Sequence, residues 1–276
     1  EITDQSGSAA SEDGIVGNKV IRDLRKLKDD KDVKAVVLRV NSPGGSAFGS
    51  EQIWYAVTEL KKEKPVIVSM GDYAASGGYY ISCNADSIVA DPTTLTGSIG
   101  IFGMFPNVKG LTDKIGLSFD VVKTNTYSDF GMMGRALNDG EKALMQNMVN
   151  EGYELFVKRC AEGRGMTTDE IKKIAEGRVW TGAKAKELGL VDELGGLDKA
   201  LEMAIGKAGL DAYTVMSYPG KKSFFETLMD TNPGGYIQSR MLKGKVGELY
   251  NQFDWLNNFE NYDKIQARVP FELNIN

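Results

Sequence analysis

The sequence predicts a layered α/β fold built on a mainly parallel sheet. Three observations carry that expectation. Residues 33–40 (VKAVVLRV) and 65–70 (PVIVSM) are short, nearly continuous and β-branched, the pattern of strands covered on both faces. Between such runs lie longer stretches whose apolar residues recur at helical spacing. Glycine-rich segments mark the points where a strand gives way to a helix, and this alternation builds α/β layers.

The elements follow in order. Val16, Val20, Leu24 and Leu27 space a helix over 15–28, ended by Asp29, Asp30 and Asp32. The strand at 33–40 stops at the turn-formers Asn41-Ser42-Pro43-Gly44-Gly45. Ser50 is expected to cap a helix carrying Ile53, Trp54, Val57 and Leu60. After the strand at 65–70, residues 71–78 read as a small-residue loop leading into a helix at 79–83. Residues 87–90 read as a strand, and 95–103 as a Thr/Gly/Ser stretch. A helix at 108–115 and a strand at 118–123 come next. A long amphipathic helix spans 139–162, bounded by Gly163 and Gly165. Shorter helices are expected near 168–176, 182–188 and 197–207. Beyond about residue 209 the sequence turns aromatic and Asn-rich. The expected division is a flexible leader at 1–13, a cut inside a longer protein; a domain at 14–208; and an extension at 209–276. That extension packs on the core or on a neighbouring subunit, or is an ordinary edge of the same domain.

Composition narrows the chemistry. The net charge of −5 and the absence of a basic run exclude a nucleic-acid binder, which needs a cationic face for phosphates. No segment approaches the ~20 apolar residues of a membrane span. Cys83 and Cys160 lack the spacing of a disulfide framework or zinc site. The chain contains 0 histidines, which excludes Ser-His-Asp triads, Cys-His dyads and His-based metal sites within it. What remains is chemistry by serine, lysine, carboxylates and backbone.

Two glycine-rich loops each follow a buried strand, and in open parallel sheets ligands gather at such strand ends. In NSPGGSA, Gly44 and Gly45 leave backbone N–H groups open to a carbonyl oxygen. In DYAASGGYY, Ser76 sits among small residues at a helix start, where free N–H groups favour developing negative charge. Each loop alone also reads as an ordinary turn or N-cap. Together they supply a nucleophile and a candidate oxyanion hole. The sequence around Ser76 is not the Gly-x-Ser-x-Gly elbow of the α/β-hydrolases, because Ala74 stands at the first glycine.

The ordered set VKAVVLRVNSPGGSA, PVIVSMGDYAASGGYYIS, DPTTLTGSIGIFG and GRVWTGAKAKELGLVDELGG resembles the signal peptide peptidase A (protease IV) family over about residues 14–208. The resemblance implies a Clp protease/crotonase-like fold. It also implies a Ser/Lys endopeptidase that cleaves remnant signal peptides or other peptides through an acyl-enzyme, with no metal or organic cofactor. Carried over, Ser76 is the nucleophile, the Gly45 and Gly77 amides form the oxyanion hole, and Ser98 of TGSIG positions the lysine amine. In short family members the lysine follows a strand like LSFDVVKT, whereas here Ser128 occupies that place. Long members are tandem duplications whose N-terminal half supplies lysine and whose C-terminal half supplies serine, and this sequence is similar to the latter. The resemblance therefore implies a base from the N-terminal half of the same protein. It further implies peptide substrates, a homo-oligomer (a tetramer), and the periplasmic side of a bacterial envelope, anchored through sequence outside this chain. Lys123 is the nearest local lysine, and it reads as a solvated charge. Two other readings share the glycine loops. A crotonase-like acyl-thioester enzyme needs carboxylates where Ser76 stands, and a silent assembly module would use the loops only as architecture.

Overall fold

The computed structural model describes residues 1–4, 14–220 and 265–268. In chain order the elements begin with β1 (Ile2–Thr3), β2 (Ile15–Val16), α1 (Gly17–Asp29), β3 (Val36–Ser42), β4 (Gly44–Ser46) and α2 (Ala47–Lys61). There follow β5 (Val66–Ala75), α3 (Gly77–Tyr80), β6 (Ser87–Ala90), β7 (Leu95–Gly97), β8 (Phe102–Gly103) and α4 (Lys109–Lys114). The rest are α5 (Asp139–Arg164), α6 (Thr168–Ile174), β9 (Val179–Thr181), α7 (Gly182–Glu187), β10 (Glu193–Leu194), α8 (Leu197–Ala208) and β11 (Ile265–Arg268).

The larger sheet runs β10-β6-β5-β7-β9, with β3 also paired to β5. Its pairs are parallel except β7 with β9. Strand β5 is its centre, and its alternating side chains divide the core by the period of two. Val66, Val68 and Met70 join the large cluster with Ile53, Val57, Tyr79 and Phe156, beneath α2, α3 and α5. Ile67 points the other way, to Val89 and to Ala200 and Ala204 of α8. The chain is thus a helix–sheet–helix sandwich, as the buried runs require.

The second sheet, β2-β1-β4-β11-β8, is mixed: β11 is antiparallel to both its neighbours. The architecture is therefore α/β with mixed sheets. Ile2 and Thr3, expected in a leader, form a strand between β2 and β4, with Ile2 buried.

Three local readings change. The turn-formers at 41–45 continue as β3 and β4, because glycine lets β4 lie closer to its neighbour than any side chain allows. A Cβ on Gly45 would fall 2.1 Å from the Ile2 carbonyl oxygen. Ser46, not Ser50, caps α2, accepting from the Gly49 N–H at 2.9 Å. Residues 118–123 form no strand. Residues 117–137 contain neither helix nor strand, and Val122 is fully exposed, so β-branched composition finds no sheet to join. The long helix matches expectation: Asn138 and Glu141 close a capping box at its start, and Gly165 in the left-handed conformation ends it.

Candidate active site

Because β3 and β5 are parallel neighbours, with Ser42 opposite Ala74 after a shift of register beyond Val40, the loops at their carboxyl ends come together. Strand β5 ends at Ala75, and the next residue, Ser76, turns the chain into α3. It does so at φ 53° and ψ −115°, a region that non-glycine residues enter only when their surroundings hold them there, at a cost of about 1–3 kcal/mol. The hold is visible. The Ser76 N–H donates to the Gly97 carbonyl at 2.8 Å, and its own carbonyl accepts from the Tyr80 N–H at 2.8 Å.

Helix α3 is pinned by its two tyrosines. The Tyr79 hydroxyl donates to the Leu190 carbonyl at 2.9 Å. The Tyr80 hydroxyl donates to Glu51 at 2.7 Å, and the Tyr80 ring stacks on Phe156 at 4.3 Å. Burial, helped by the neighbouring carboxylate of Glu51, pushes the Tyr80 phenol far above its ordinary range. Glu51 in turn receives Arg159 at 2.6 Å, whose guanidinium lies 3.8 Å over the Trp54 ring. This scaffold links α2, α3 and α5 and fixes where Ser76 stands.

Ser76 is fully buried, and its Oγ has no hydrogen-bond partner among the described residues. An unmade bond on a buried hydroxyl costs about 1–3 kcal/mol. This site therefore combines backbone strain with an unsatisfied polar atom. Gly77 meets the other loop directly: a Cβ there would fall 2.6 Å from Ser50 Oγ, 2.9 Å from the Ala267 carbonyl oxygen and 3.1 Å from Gly44 Cα. Only glycine permits this approach of backbone to backbone. Helix α3 is a single turn, so any anion stabilisation comes from individual N–H groups rather than a macrodipole.

Ser98 joins the same place through β7. Gly97 pairs with Ala75 across the sheet. Ser98 then adopts φ 50° and is 2% exposed, and its N–H donates to the Arg178 carbonyl at 2.7 Å. The structure therefore links Ser76 to Gly97, the residue before Ser98, and sets Gly77 against Gly44, the residue before Gly45 on β4. The lysine and the serine that the sequence raised for the base lie elsewhere among the described residues. The Lys123 amine donates to Asp129 at 3.1 Å in the exposed 117–137 segment. Ser128 is exposed and closes a local turn with Asn125 at 2.9 Å.

The same segment holds a charge cluster the sequence did not reveal. Arg135 donates to Asp129 at 2.7 Å and to Glu141 at 2.6 Å, and both carboxylates are almost fully buried. The arginine holds Asp129 far below the usual carboxylate range and lowers Glu141 as well. Cys83 and Cys160 are both buried with free thiols. Burial, then its neighbour Cys83, pushes the Cys160 thiol up.

Comparison with known proteins places this architecture. Peptidase family S49 matches residues 58–211. Protease 4 of Haemophilus influenzae is 45% identical over 199 residues, covering 71% of this chain and 32% of that protein. The chain thus spans about a third of the length of this relative. A relative in Synechocystis sp. is 36% identical over 243 residues, covering 86% of this chain and 84% of its own. Among solved structures, a ClpP1 mutant from Listeria monocytogenes aligns with a TM-score of 0.46 and 17% identity, over 67% of this chain and 86% of that one. The family match covers more than half of the sequence: the chain belongs to peptidase family S49.

Proposed function

We propose that this chain carries the nucleophile-bearing half of a Ser/Lys endopeptidase of the signal peptide peptidase A type. The observation that carries the reading is Ser76 itself, strained in backbone, buried, and lacking a hydrogen-bond partner for its Oγ among the described residues. A structural serine has no reason to combine these costs, and a nucleophile awaiting its base has.

In the proposed reaction a neutral lysine amine takes the Ser76 hydroxyl proton as Oγ attacks a peptide carbonyl. The Gly45 and Gly77 amides donate to the oxyanion. Collapse expels the amine, which takes the proton back from lysine, and water then hydrolyses the ester by the same route. Loss of one oxyanion donor costs about 3 kcal/mol of barrier. The Ser98 hydroxyl holds the incoming amine. The lysine comes from the N-terminal half of a longer protein. This division is supported by the one-third coverage of the Haemophilus relative and by Ser128 standing where a self-sufficient member carries lysine. The reaction uses no metal or organic cofactor.

Substrates are peptides, with remnant signal peptides the natural class. The site of action is the periplasmic side of a bacterial envelope, with anchoring sequence outside this chain. Among the described residues no helix is long and apolar enough to cross a membrane. A homo-oligomer, a tetramer, is supported by α5, where Leu144, Met148 and Leu155 remain exposed. The aromatic residues Phe224, Phe225, Tyr250, Phe253 and Trp255, expected at the same contacts, lie outside the described residues.

The test is peptide hydrolysis by the chain mixed with the lysine-bearing half. Activity should appear on mixing, by a factor of ~100 to 10,000 for a supplied base, and vanish with Ser76→Ala. Hydrolysis that survives this substitution overturns the assignment.

A further inference from the structure

One stretch that carries the family resemblance, GRVWTGAKAKELGLVDELGG, supplies no residue to the proposed reaction, yet its start lies against the candidate site. Residues 178–182 run antiparallel to 94–98. In the ladder Thr181 stands opposite Leu95, Trp180 opposite Thr96 and Val179 opposite Gly97. Before it the Gly182 N–H donates to the Thr94 carbonyl at 2.8 Å. Beyond it the Ser98 N–H donates to the Arg178 carbonyl at 2.7 Å, and the Gly177 N–H to the Ile99 carbonyl at 3.0 Å.

Two bends in the chain meet there. Ser98 adopts φ 50°, and Glu176 at φ 59° with Gly177 at φ 73° bends the facing strand end. Non-glycine residues stay in that region only where neighbours fix them. The contact is close on both sides of Ser98. A Cβ on Gly100 would fall 3.0 Å from the Gly177 nitrogen, and one on Gly97 would fall 2.8 Å from Trp180 Cδ1. The indole therefore occupies the space a side chain at 97 would take. It packs against the main core, and its Nε1 donates to the Ile174 carbonyl at 3.0 Å, which fixes its orientation.

Gly97 passes this contact on to Ser76. It pairs with Ala75 across the sheet, and its carbonyl accepts the Ser76 N–H at 2.8 Å. The Thr96 hydroxyl donates to the Ala74 carbonyl at 2.8 Å. The run 96–98 is thus bonded to the nucleophile strand on one side and to 178–180 on the other. We propose that the turn at 174–180 is the positioning element of the Ser76–Ser98 pair, with Trp180 as its positioning residue. The indole against Gly97 and the Arg178 carbonyl on Ser98 hold both serines in their strained backbone. The inference rests on the reading of Ser76 as nucleophile and Ser98 as holder of the amine, and it adds the residues that set their alignment. Trp180 acts through Gly97 rather than on the substrate. Misplacing a reacting group by about 1 Å costs on the order of a hundredfold in rate.

The experiment uses the full chain, alone and mixed with the lysine-bearing half. Amide exchange in the unsubstituted protein comes first. The Ser76 and Ser98 N–H groups are expected to be protected, and an unprotected Ser98 amide overturns the proposal without any variant. Trp180→Ala removes the ring, Trp180→Leu keeps apolar bulk without a ring, and Trp180→Phe keeps a ring without the N–H. The Ala and Leu variants are each expected to slow fluorophosphonate labelling of Ser76 by about tenfold or more. In the mixture the loss should fall on kcat with KM nearly unchanged, the mark of an interaction made only in the transition state. Trp180→Phe should recover most of the parent rate. Ile171→Ala, a cavity in the same core on α6, should lower the melting temperature and leave the labelling rate of the folded protein unchanged. Labelling slowed as much by Ile171→Ala as by Trp180→Leu would make the effect one of general stability and overturn the inference. If Trp180→Ala fails to fold, Trp180→Leu carries the comparison, and if neither folds the exchange at Ser98 decides it.

This inference and the functional reading fail in different ways. Equal labelling of Ser76 in the parent and in the Trp180 variants leaves the nucleophile and removes the positioning role. No labelling in any chain, with faster exchange at Ser76 and Ser98 in Trp180→Leu, leaves the turn as the holder of both backbones and removes Ser76 as nucleophile.

Discussion

Two regions of this molecule carry serines at positions where the family resemblance expects catalytic residues, and they are built in opposite ways. The Ser76–Ser98 region is buried and tied to the central strands by backbone bonds, with both serines at positive φ. The 117–137 segment has no helix or strand, exposes Val122 and Ser128, and pairs Lys123, Asp129 and Arg135 with one another and with Glu141 in the first turn of α5. In the first region the Ser76 Oγ is left without a partner among the described residues, at a cost in stability. In the second every charge named has a partner. Under the proposed function, this contrast is that of a chain which keeps one half of a catalytic pair poised and lacks the other in the 117–137 segment. A lysine that acts as base must be neutral, which requires burial or nearby positive charge. Lys123 is 42% exposed and paired with a carboxylate.

The comparison can be broken by substitution, most forcefully in the buried region. Gly45→Ala is expected to have the largest effect. The new Cβ would sit 2.1 Å from the Ile2 carbonyl oxygen at φ 151°, so β1 must move. Overpacking of this kind costs about 1–3 kcal/mol or more, read by chemical denaturation, and reactivity of Ser76 should be lost with it. Gly77→Ala should follow, with a similar loss of reactivity and a smaller loss of stability, because one of its three close neighbours is the Ser50 hydroxyl, which can rotate.

Ser76→Ala goes the other way on stability. Since the Oγ is buried without a partner among the described residues, its removal should leave the unfolding midpoint unchanged or raise stability by on the order of 1 kcal/mol, while hydrolysis disappears. A clear destabilisation would show that the hydroxyl has a structural bond and would weaken the contrast between the regions.

The exposed segment predicts a pH effect. Asp129 and Glu141 are held below their ordinary ranges by Arg135. A carboxylate depressed in the folded state contributes stability above its unfolded value, about pH 4, and loses it as pH falls through the lower folded value. Arg135→Gln should therefore lower the melting temperature at neutral pH and narrow the gap to the parent protein at strongly acidic pH. A constant difference across the acid range would contradict the assignment. The smallest effect is expected for Lys123→Ala, with reactivity of Ser76 within about twofold of the parent, since an exposed pair contributes little.

The core elements were legible because burial writes itself into periodicity. Residues 87–90 read as a strand and form one, and the long helix begins at Asp139 as expected and stops at Gly165, one of the two glycines expected to bound it. The close-packed loops around Gly45 and Gly77 were legible because small residues cluster where backbone must approach backbone. What misled was glycine in NSPGG, which marked a close-packed strand rather than a turn. The valines at 121–122 misled in the opposite sense, having strand propensity without a partner. Strand β11 left no signal at all: IQAR is four residues long, and its place between β4 and β8 depends on edges that only the folded chain presents. The Arg135 clamp was equally silent, since ion pairing across six residues without a helix follows no fixed spacing.

The account stands most directly on the identity of the nucleophile. Prolonged reaction of the chain with an alkyl fluorophosphonate, followed by intact-mass measurement and peptide mapping, tests it. One adduct on Ser76, absent from the folded Ser76→Ala protein, is the predicted result. An adduct on another serine, or labelling that persists after Ser76→Ala, would contradict it.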